Sequence, residues 1–130
     1  MHTQALRSSI ITTAALVVAL SVAAIPVSAH HGWGGYLETT TDVAGTVETT
    51  VSLAGPHATL RVKDAEGHVW DVVLEPPAGS SRAGLKTGMI PIGDNVVVHG
   101  NRHRDPKKFE IKTTKLTWNG RVFNVYPDRN

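Results

Sequence analysis

The segment of this sequence best suited to chemistry is the junction where an apolar leader meets a histidine pair, Val27 to Trp33. Val27 and Ala29 place small residues third and first before a signal-peptidase cut, which we expect after Ala29. The cut would make His30 the first residue, with a free α-amine and an imidazole that can chelate one metal ion. Cleavage would therefore create a chemical group that the precursor lacks.

Three histidines are candidate metal ligands: His30, His31 and His57. His30 offers its amine and a ring nitrogen, and one more histidine from the domain would complete a T-shaped copper(II) site. His31 offers another mode, in which its ring, the amine and the intervening amide nitrogen bind copper(II) together. These nitrogen ligands favour copper over zinc. The alternative is a flexible tail whose two histidines lie in solvent.

His57 follows Pro56 and opens a predicted strand, from which its ring could point back toward the junction as a third ligand. The alternative is a turn residue whose ring hydrogen-bonds a neighbouring carbonyl. The other three histidines, His68, His99 and His103, are not expected to be ligands, although the last two could lie near one rim of the fold.

No catalytic constellation is predicted, so we expect a protein that is not an enzyme. The sequence has no cysteine, which excludes thiolate metal sites and cysteine nucleophiles. Gly79-Ser80-Ser81 lacks the strand–turn–helix context of a nucleophilic serine. No glycine-rich loop has a phosphate-binding pattern. Copper(II) is thus the sole cofactor that the residues suggest.

Residues 1–29 are predicted to be a signal peptide. The apolar run Ile10 to Ala24 is about fifteen residues, shorter than the ~20 that a spanning helix needs. A single membrane anchor is the alternative. The mature chain, His30 to Asn130, is the size of one domain. We expect an exported protein, periplasmic or secreted, without a stable membrane anchor.

The mature chain has an uneven charge distribution. His30 to Ser80 carries two basic and seven acidic residues, whereas Ser81 to Asn130 carries ten basic and four acidic residues. Either the two halves attract each other within the fold, or the second half presents a basic face to an anionic partner.

Alternating apolar and polar residues predict short strands, which is typical of half-buried β-structure. Residues 30–41 are glycine-rich at their start and are predicted to be a flexible arm. Residues 42–130 are predicted to form one all-β domain, a small five-stranded antiparallel barrel resembling the oligonucleotide/oligosaccharide-binding fold, with one short helix near Ser81–Leu85 or an irregular excursion there. Asp64 to Gly67 and Asn119-Gly120 are predicted hairpin turns. An open sandwich is the alternative.

Aromatic residues could form a platform for a sugar-like partner, or could pack in the core and at its rim. The set comprises Trp33, Tyr36, Trp70 and Trp118. Together with the basic residues of the second half, it suggests an envelope protein or an anionic polysaccharide as an alternative partner. Nucleic acid is not expected as a partner of an exported protein.

The chain also resembles a family of small exported bacterial proteins without assigned function, which share an AHHGW-like start of the mature chain. The segments that carry the resemblance are Ala29 to Trp33, Gly45 to Val47, Gly55 to Leu60, Trp70 to Leu74 with Pro76-Pro77, Arg82 to Leu85, and Gly93 to Gly100. The family pattern has Asn before the Pro-His pair, where this chain has Gly55. The resemblance implies export and a barrel-like β fold, but no activity.

Overall fold

The structure, a computed structural model, describes residues 32–129, so the predicted leader and the candidate ligands His30 and His31 lie outside the described residues. Strands dominate the described chain, which confirms the all-β prediction. Its elements in order are β1 (Tyr36–Ser52), β2 (Thr59–Asp64), β3 (Val69–Val73), α1 (Pro77–Arg82), β4 (Asn95–His103), β5 (Glu110–Trp118), β6 (Arg121–Asn124) and a C-terminal 3₁₀ turn (Pro127–Arg129).

Five of the six strands form a closed ring. Around the ring, each strand pairs with two others, in the order β1, β2, β3, β5, β4 and back to β1. The pairing of β3 with β5 is parallel over three residue pairs, from Asp71↔Glu110 to Val73↔Lys112. The expected antiparallel arrangement therefore holds for every pairing except this one. A parallel pair is possible here because the connection through α1 and β4 is long enough for a crossover. β6 pairs with β5 outside the ring.

β1 pairs with two strands: its first part pairs with β4 and its second part with β2. The two pairings overlap at Gly45 and Thr46. A Cβ atom at position 45 would lie 2.2 Å from the carbonyl oxygen of Lys63, so only glycine permits the strands to approach this closely. This long shared strand joins the two sides of the ring.

The start of β1 differs from the predicted boundary of the arm. The strand begins at Tyr36, within residues 30–41, after a turn formed by residues 32–35, which we call the N-terminal turn. A register shift follows Tyr36, and the side-chain amide of Asn101 donates hydrogen bonds to the carbonyl oxygens of Leu37 (2.9 Å) and Glu38 (3.2 Å) within it. Asn101 thereby satisfies backbone groups that the shifted ladder leaves unpaired.

The two hairpin turns lie where the sequence predicts them. Gly67 has a φ of 90° in the β2–β3 turn, and Asn119 and Gly120 have φ of 51° and 73° in the β5–β6 turn. Consecutive positive φ values match the twist of a two-residue hairpin. The short helix begins earlier than predicted, at Pro77, because proline suits the first helical turn.

Apolar residues alternate along the strands and form one buried cluster. Its largest fully buried side chains include Phe123, Leu60, Leu74, Leu85, Ile90, Ile111 and Leu116. The alternation places the other side chains of each strand on the outer face of the ring. Among residues 32–129, no helix has the length and apolar character needed to cross a membrane.

Candidate functional site

A buried lysine on the outer face of the ring holds the N-terminal turn. Lys112 lies in β5 next to the core residue Ile111, and only 3% of its surface is exposed. Its ammonium group donates a 2.5 Å hydrogen bond to the carbonyl oxygen of Gly32. The same nitrogen lies 4.7 Å from the centroid of the Trp33 ring. A lysine this buried requires compensating partners, and the turn supplies a carbonyl and an aromatic face.

Three aromatic side chains surround this ammonium group. Besides Trp33, the rings of Tyr36 and Tyr126 have centroids 5.6 Å and 6.0 Å from the Lys112 nitrogen. The ring of Trp33 meets that of Tyr126 edge-on at 5.1 Å. Residues from both ends of the described chain therefore meet at Lys112, near the start of β5. We call these four residues the Lys112 cluster.

Burial changes the titration of this cluster. The pKa of Lys112 is lowered by burial and by repulsion from Arg129, and Glu110 opposes this change. Burial also raises the pKa of Tyr36, whose hydroxyl donates a hydrogen bond to the Glu110 carboxylate. The pKa of Tyr126 rises to about 12, mainly through burial. Both tyrosines therefore keep their protons at neutral pH.

Hydrogen bonds other than that of Lys112 also hold the N-terminal turn. The amide of Tyr36 donates to the carbonyl oxygen of Trp33 (3.0 Å), which closes the turn. From the β4–β5 loop, Arg104 donates its amide to Gly35 (2.8 Å) and its Nε to Gly34 (3.2 Å). The turn is thus bonded at consecutive residues rather than loosely attached.

His57, the one candidate ligand within the described residues, is half-buried just before β2. Its Nδ1 lies 2.8 Å from the carbonyl oxygen of Leu74. A carbonyl can only accept, so Nδ1 carries the proton and the neutral ring keeps a lone pair on Nε2. The ring thus hydrogen-bonds a neighbouring carbonyl, as one sequence interpretation expected. The same bond is what commonly orients a metal-bound histidine.

His99 and His103 have opposite hydrogen-bonding roles. Nδ1 of His99 lies 2.5 Å from the Asp42 carboxylate, which leaves Nε2 with a lone pair. In contrast, Nδ1 of His103 accepts the amide proton of Asp105 at 3.0 Å, so the neutral ring carries its proton on Nε2. Of these two rings, only that of His99 presents an unprotonated nitrogen without breaking its hydrogen bond.

Asp64, Glu66 and His68 are the one group of three histidine or carboxylate side chains, within residues 32–129, close enough to share an ion. The group is explained by the β2–β3 turn. Asp64 accepts hydrogen bonds from the amides of Glu66 and His68 and from the indole of Trp70, each at 2.9 Å. These bonds, led by that of Trp70, lower the pKa of Asp64. The carboxylate therefore orders a turn and holds a tryptophan.

The four aromatic residues of the predicted platform are divided between separate places. Trp70 is buried against Phe109, and the indole of Trp118 donates to Asp94 at 2.9 Å. Trp33 and Tyr36 share the Lys112 cluster. Neither Lys112 nor Tyr126 was predicted from the sequence to belong to a site. The sequence feature that could have indicated this cluster is a lysine within a predicted strand, in a chain with aromatic residues near both ends.

Two recesses adjoin Trp33 and share both Trp33 and Arg129 in their walls. The larger, of about 440 Å³, we call the Glu75 recess, and its other lining residues are Glu75, Gly79, Arg82, Ala83, Asn124, Tyr126, Pro127 and Asp128. The smaller, of about 310 Å³, we call the Arg104 recess, and its other lining residues are Gly34, Tyr36, Leu37, Glu38, Asn101 and Arg104. The N-terminal turn thus forms a wall of both concave surfaces.

Comparison with known proteins identifies a family but no activity. A family model described as a family of unknown function, DUF6152, matches residues 16–112. No curated protein matches the chain. The matched segment covers β1 to β4 and reaches Lys112 in β5. Since it spans well over half of the 130 residues, the chain belongs to the DUF6152 family.

Proposed function

We propose that this protein is an exported, non-enzymatic binding module that takes up copper(II) through His30, once a signal peptidase has cut after Ala29. His31 assists in the proposed site, and the Nε2 atom of His57 completes it. The observation that carries the proposal is the attachment of the N-terminal turn, in which Lys112 bonds the carbonyl of Gly32 at 2.5 Å. An N-terminal chelate gains affinity when the chain next to it is already ordered.

The reach of the chain supports the inclusion of His30. His30 lies two positions before Gly32, and an extended chain spans at most ~3.6 Å per residue. The amine of His30 is thereby restricted to within about 10 Å of the anchored turn. If the turn itself were free, the same reach would not restrict the amine to one part of the fold.

The state of the His57 ring supports its role as the third ligand. Its Nδ1 proton is held by Leu74, so Nε2 is available without loss of a hydrogen bond. Leu74 is followed by Glu75, which lines a recess that also has Trp33 as a wall. The backbone that orients His57 is therefore adjacent to a recess formed partly by the N-terminal turn. The imidazole nitrogen of His57 is a type of ligand that copper(II) prefers.

A copper(II) titration followed by electron paramagnetic resonance tests the proposal. The protein must begin at His30, as verified by mass spectrometry. We expect one tight, nitrogen-rich site per chain. A matched protein whose α-amine is acetylated should lose this signal, because both N-terminal modes of copper binding use the free amine. Identical weak, multi-site spectra from both proteins would refute the proposal.

Two alanine variants test the third ligand. His57→Ala should remove one nitrogen from the hyperfine pattern and weaken binding. His99→Ala is the matched control, because His99 also has a free Nε2 but is outside the proposed site. Equal effects of the two substitutions would exclude His57 as a specific ligand.

A second candidate function is contact with an anionic or sugar-like envelope component. It is supported by the β4–β5 loop, where Arg104, Lys107 and Lys108 are exposed. Retention of the purified protein by an acidic polysaccharide, and loss of retention in a variant with Lys107 and Lys108 changed to Gln, would support this function. Unchanged retention would exclude the loop as the contact.

A further inference from the structure

Two arginines from distant parts of the chain line the Arg104 recess. Arg104 follows β4, and Arg129 ends the C-terminal 3₁₀ turn. Within residues 32–129, neither guanidinium group forms an ion pair with a carboxylate. The recess between them, with Trp33 as a wall, has a volume of about 310 Å³. Two cations without ionic partners in the described chain therefore line one recess.

Each guanidinium group is held in place by a group other than a carboxylate. Arg104 uses Nε to bond the carbonyl of Gly34 at 3.2 Å, so its two terminal nitrogens stay available to a ligand. The central guanidinium carbon of Arg129 lies 4.0 Å from the centroid of the Trp33 ring, a cation–π distance. Both side chains are therefore pre-positioned, which reduces the entropy lost when a ligand binds.

The surrounding charges favour an anion. The Lys112 ammonium lies 4.7 Å from the same Trp33 ring, and its pKa is lowered partly by repulsion from Arg129. The carboxylate of Glu110 attracts this lysine and acts to raise its pKa. The same carboxylate accepts a hydrogen bond from the Tyr36 hydroxyl. An anion between the arginines would reduce the mutual repulsion of these cations.

Glu38 is the acidic residue in the lining of this recess. Its side chain is exposed, and within the described chain it forms no ion pair with either arginine. A carboxylate in this position disfavours an anion without neutralising the arginines. Removal of the Glu38 charge should therefore strengthen anion binding, whereas removal of either arginine charge should weaken it.

We propose that the Arg104 recess binds an oxyanion of the phosphate type, held by the guanidinium groups of Arg104 and Arg129 beside Trp33. Planar guanidinium groups match phosphate oxygens with paired hydrogen bonds, so two of them can hold one group from two sides. This site does not depend on the proposed copper site, because arginine side chains hold the anion directly. Free phosphate and a phosphate-bearing lipid headgroup share this chemistry.

Titration with inorganic phosphate, followed by the indole and guanidinium ¹⁵N signals of Trp33 and Arg129 in NMR, tests the site. We expect saturable shifts confined to the recess. Arg104→Gln and Arg129→Gln should each weaken binding by about tenfold, as loss of a charge-assisted bond implies. Glu38→Gln should strengthen binding. Lys86→Gln is the control, since Lys86 is exposed and lines neither recess.

Vesicles distinguish the source of the phosphate. Phosphatidylcholine vesicles with and without phosphatidylglycerol are compared in a flotation assay. Binding that requires phosphatidylglycerol and is lost in Arg104→Gln and Arg129→Gln assigns the site to a headgroup. Saturable phosphate binding without vesicle binding assigns it to a free anion. If the two arginine variants bind phosphate and vesicles as the unmodified protein does, or if neither probe binds, the proposal is wrong.

Discussion

The ammonium group of Lys112 and the carbonyl oxygen of Gly32 form a 2.5 Å hydrogen bond between residues 80 positions apart in the chain. The bond joins the start of the described chain to the first part of β5, where the pairing with β3 closes the ring. Lys112 is almost fully buried in this contact, so its charge is compensated mainly by the turn and the aromatic rings. The lysine and the turn depend on each other.

Replacement of Lys112 by Met should release the N-terminal turn while the ring stays folded. The variant loses a hydrogen bond from a charged donor and the cation–π contacts, but no longer buries a charge. We therefore expect a net loss of stability of only about 1–2 kcal/mol. Hydrogen exchange should increase at the Tyr36 amide, which closes the turn, and not in β2 or β3.

Lys115→Met is the matched control for this prediction. Lys115 lies in the same strand, is only partly buried and pairs with His99 and Asn124 rather than with the turn. Its replacement should leave exchange in the turn unchanged. Equal exchange at Tyr36 in all three proteins would show that the backbone bonds alone hold the turn.

The local parts of the fold could be predicted from the sequence. The hairpin turns at Gly67 and at Asn119-Gly120 have the positive φ values that their residue types favour. The parallel pairing of Val72 with Ile111 could not be predicted in the same way, because it depends on how distant strands meet around the ring. Hydrophobic alternation indicates which face of a strand is buried, but not which strand lies beside it.

The candidate site was predictable only in part. The ring of His57 bonds a neighbouring carbonyl, as one interpretation expected. Its partner, Leu74, is 17 residues away in the chain and directly follows β3. The roles of His30 and His31 stay predictions. The burial of Lys112 could not be predicted from the sequence, because a lysine in an alternating strand ordinarily lies in solvent. Only the folded positions of Trp33 and Tyr126 explain its burial.

Alkaline pH should destabilise the protein through Tyr126. Its pKa is raised from an ordinary value of 10.0 to about 12, chiefly by burial. Between these values the unfolded chain loses the proton and the folded chain keeps it, so stability is fully present below pH 10 and falls as pH rises toward 12. Allowing for partial exposure, the loss is about 1–2 kcal/mol.

Tyr126→Phe should remove this part of the pH dependence. Urea unfolding at several alkaline pH values, followed by circular dichroism, measures the slope for each protein. The contribution of Lys112 has the opposite sign, since its lowered pKa makes stability rise with pH below 10.5. The comparison of variant with unmodified protein cancels most of that contribution. Parallel pH profiles for the two proteins would contradict the role of Tyr126.

Acid should weaken the β2–β3 turn through Asp64. The hydrogen bonds from Trp70 and His68 lower the pKa of this carboxyl group below its ordinary value of 3.8. Its stabilising contribution is therefore present above pH 3.8 and is lost as pH falls through the folded-state pKa. Asp64→Asn should lower the thermal midpoint at neutral pH and flatten the acid limb of the pH profile.

Asp105→Asn is the control for Asp64. Asp105 also accepts a backbone amide in an exposed turn, from Lys107 at 3.0 Å, but it bonds no tryptophan. It should change the thermal midpoint less. The near-ultraviolet signal of tryptophan offers a second measurement, because loss of the Asp64 bond frees the indole of Trp70. An unchanged indole signal in Asp64→Asn would mean that packing alone fixes Trp70.

The closest strand approaches of the ring should not tolerate a methyl group. A Cβ atom at Gly45 would lie 2.2 Å from the carbonyl oxygen of Lys63, and one at Gly100 would lie 2.1 Å from that of Lys112. Backbone atoms in a paired strand cannot move aside as a flexible side chain can. Gly45→Ala and Gly100→Ala should each therefore destabilise the fold by about 3 kcal/mol or more.

Gly35→Ala provides the matched control, because its new Cβ would approach no atom closer than 3.6 Å, at the ring of His103. The same chemical change should there cost less than about 1 kcal/mol, and urea unfolding measures all three variants on one scale. The variant at Gly100 is the more informative, since its new Cβ would meet the backbone carbonyl of Lys112. Strand separation there should also disturb the Lys112 bond to Gly32, so Gly100→Ala should increase hydrogen exchange at Tyr36, whereas Gly45→Ala should not.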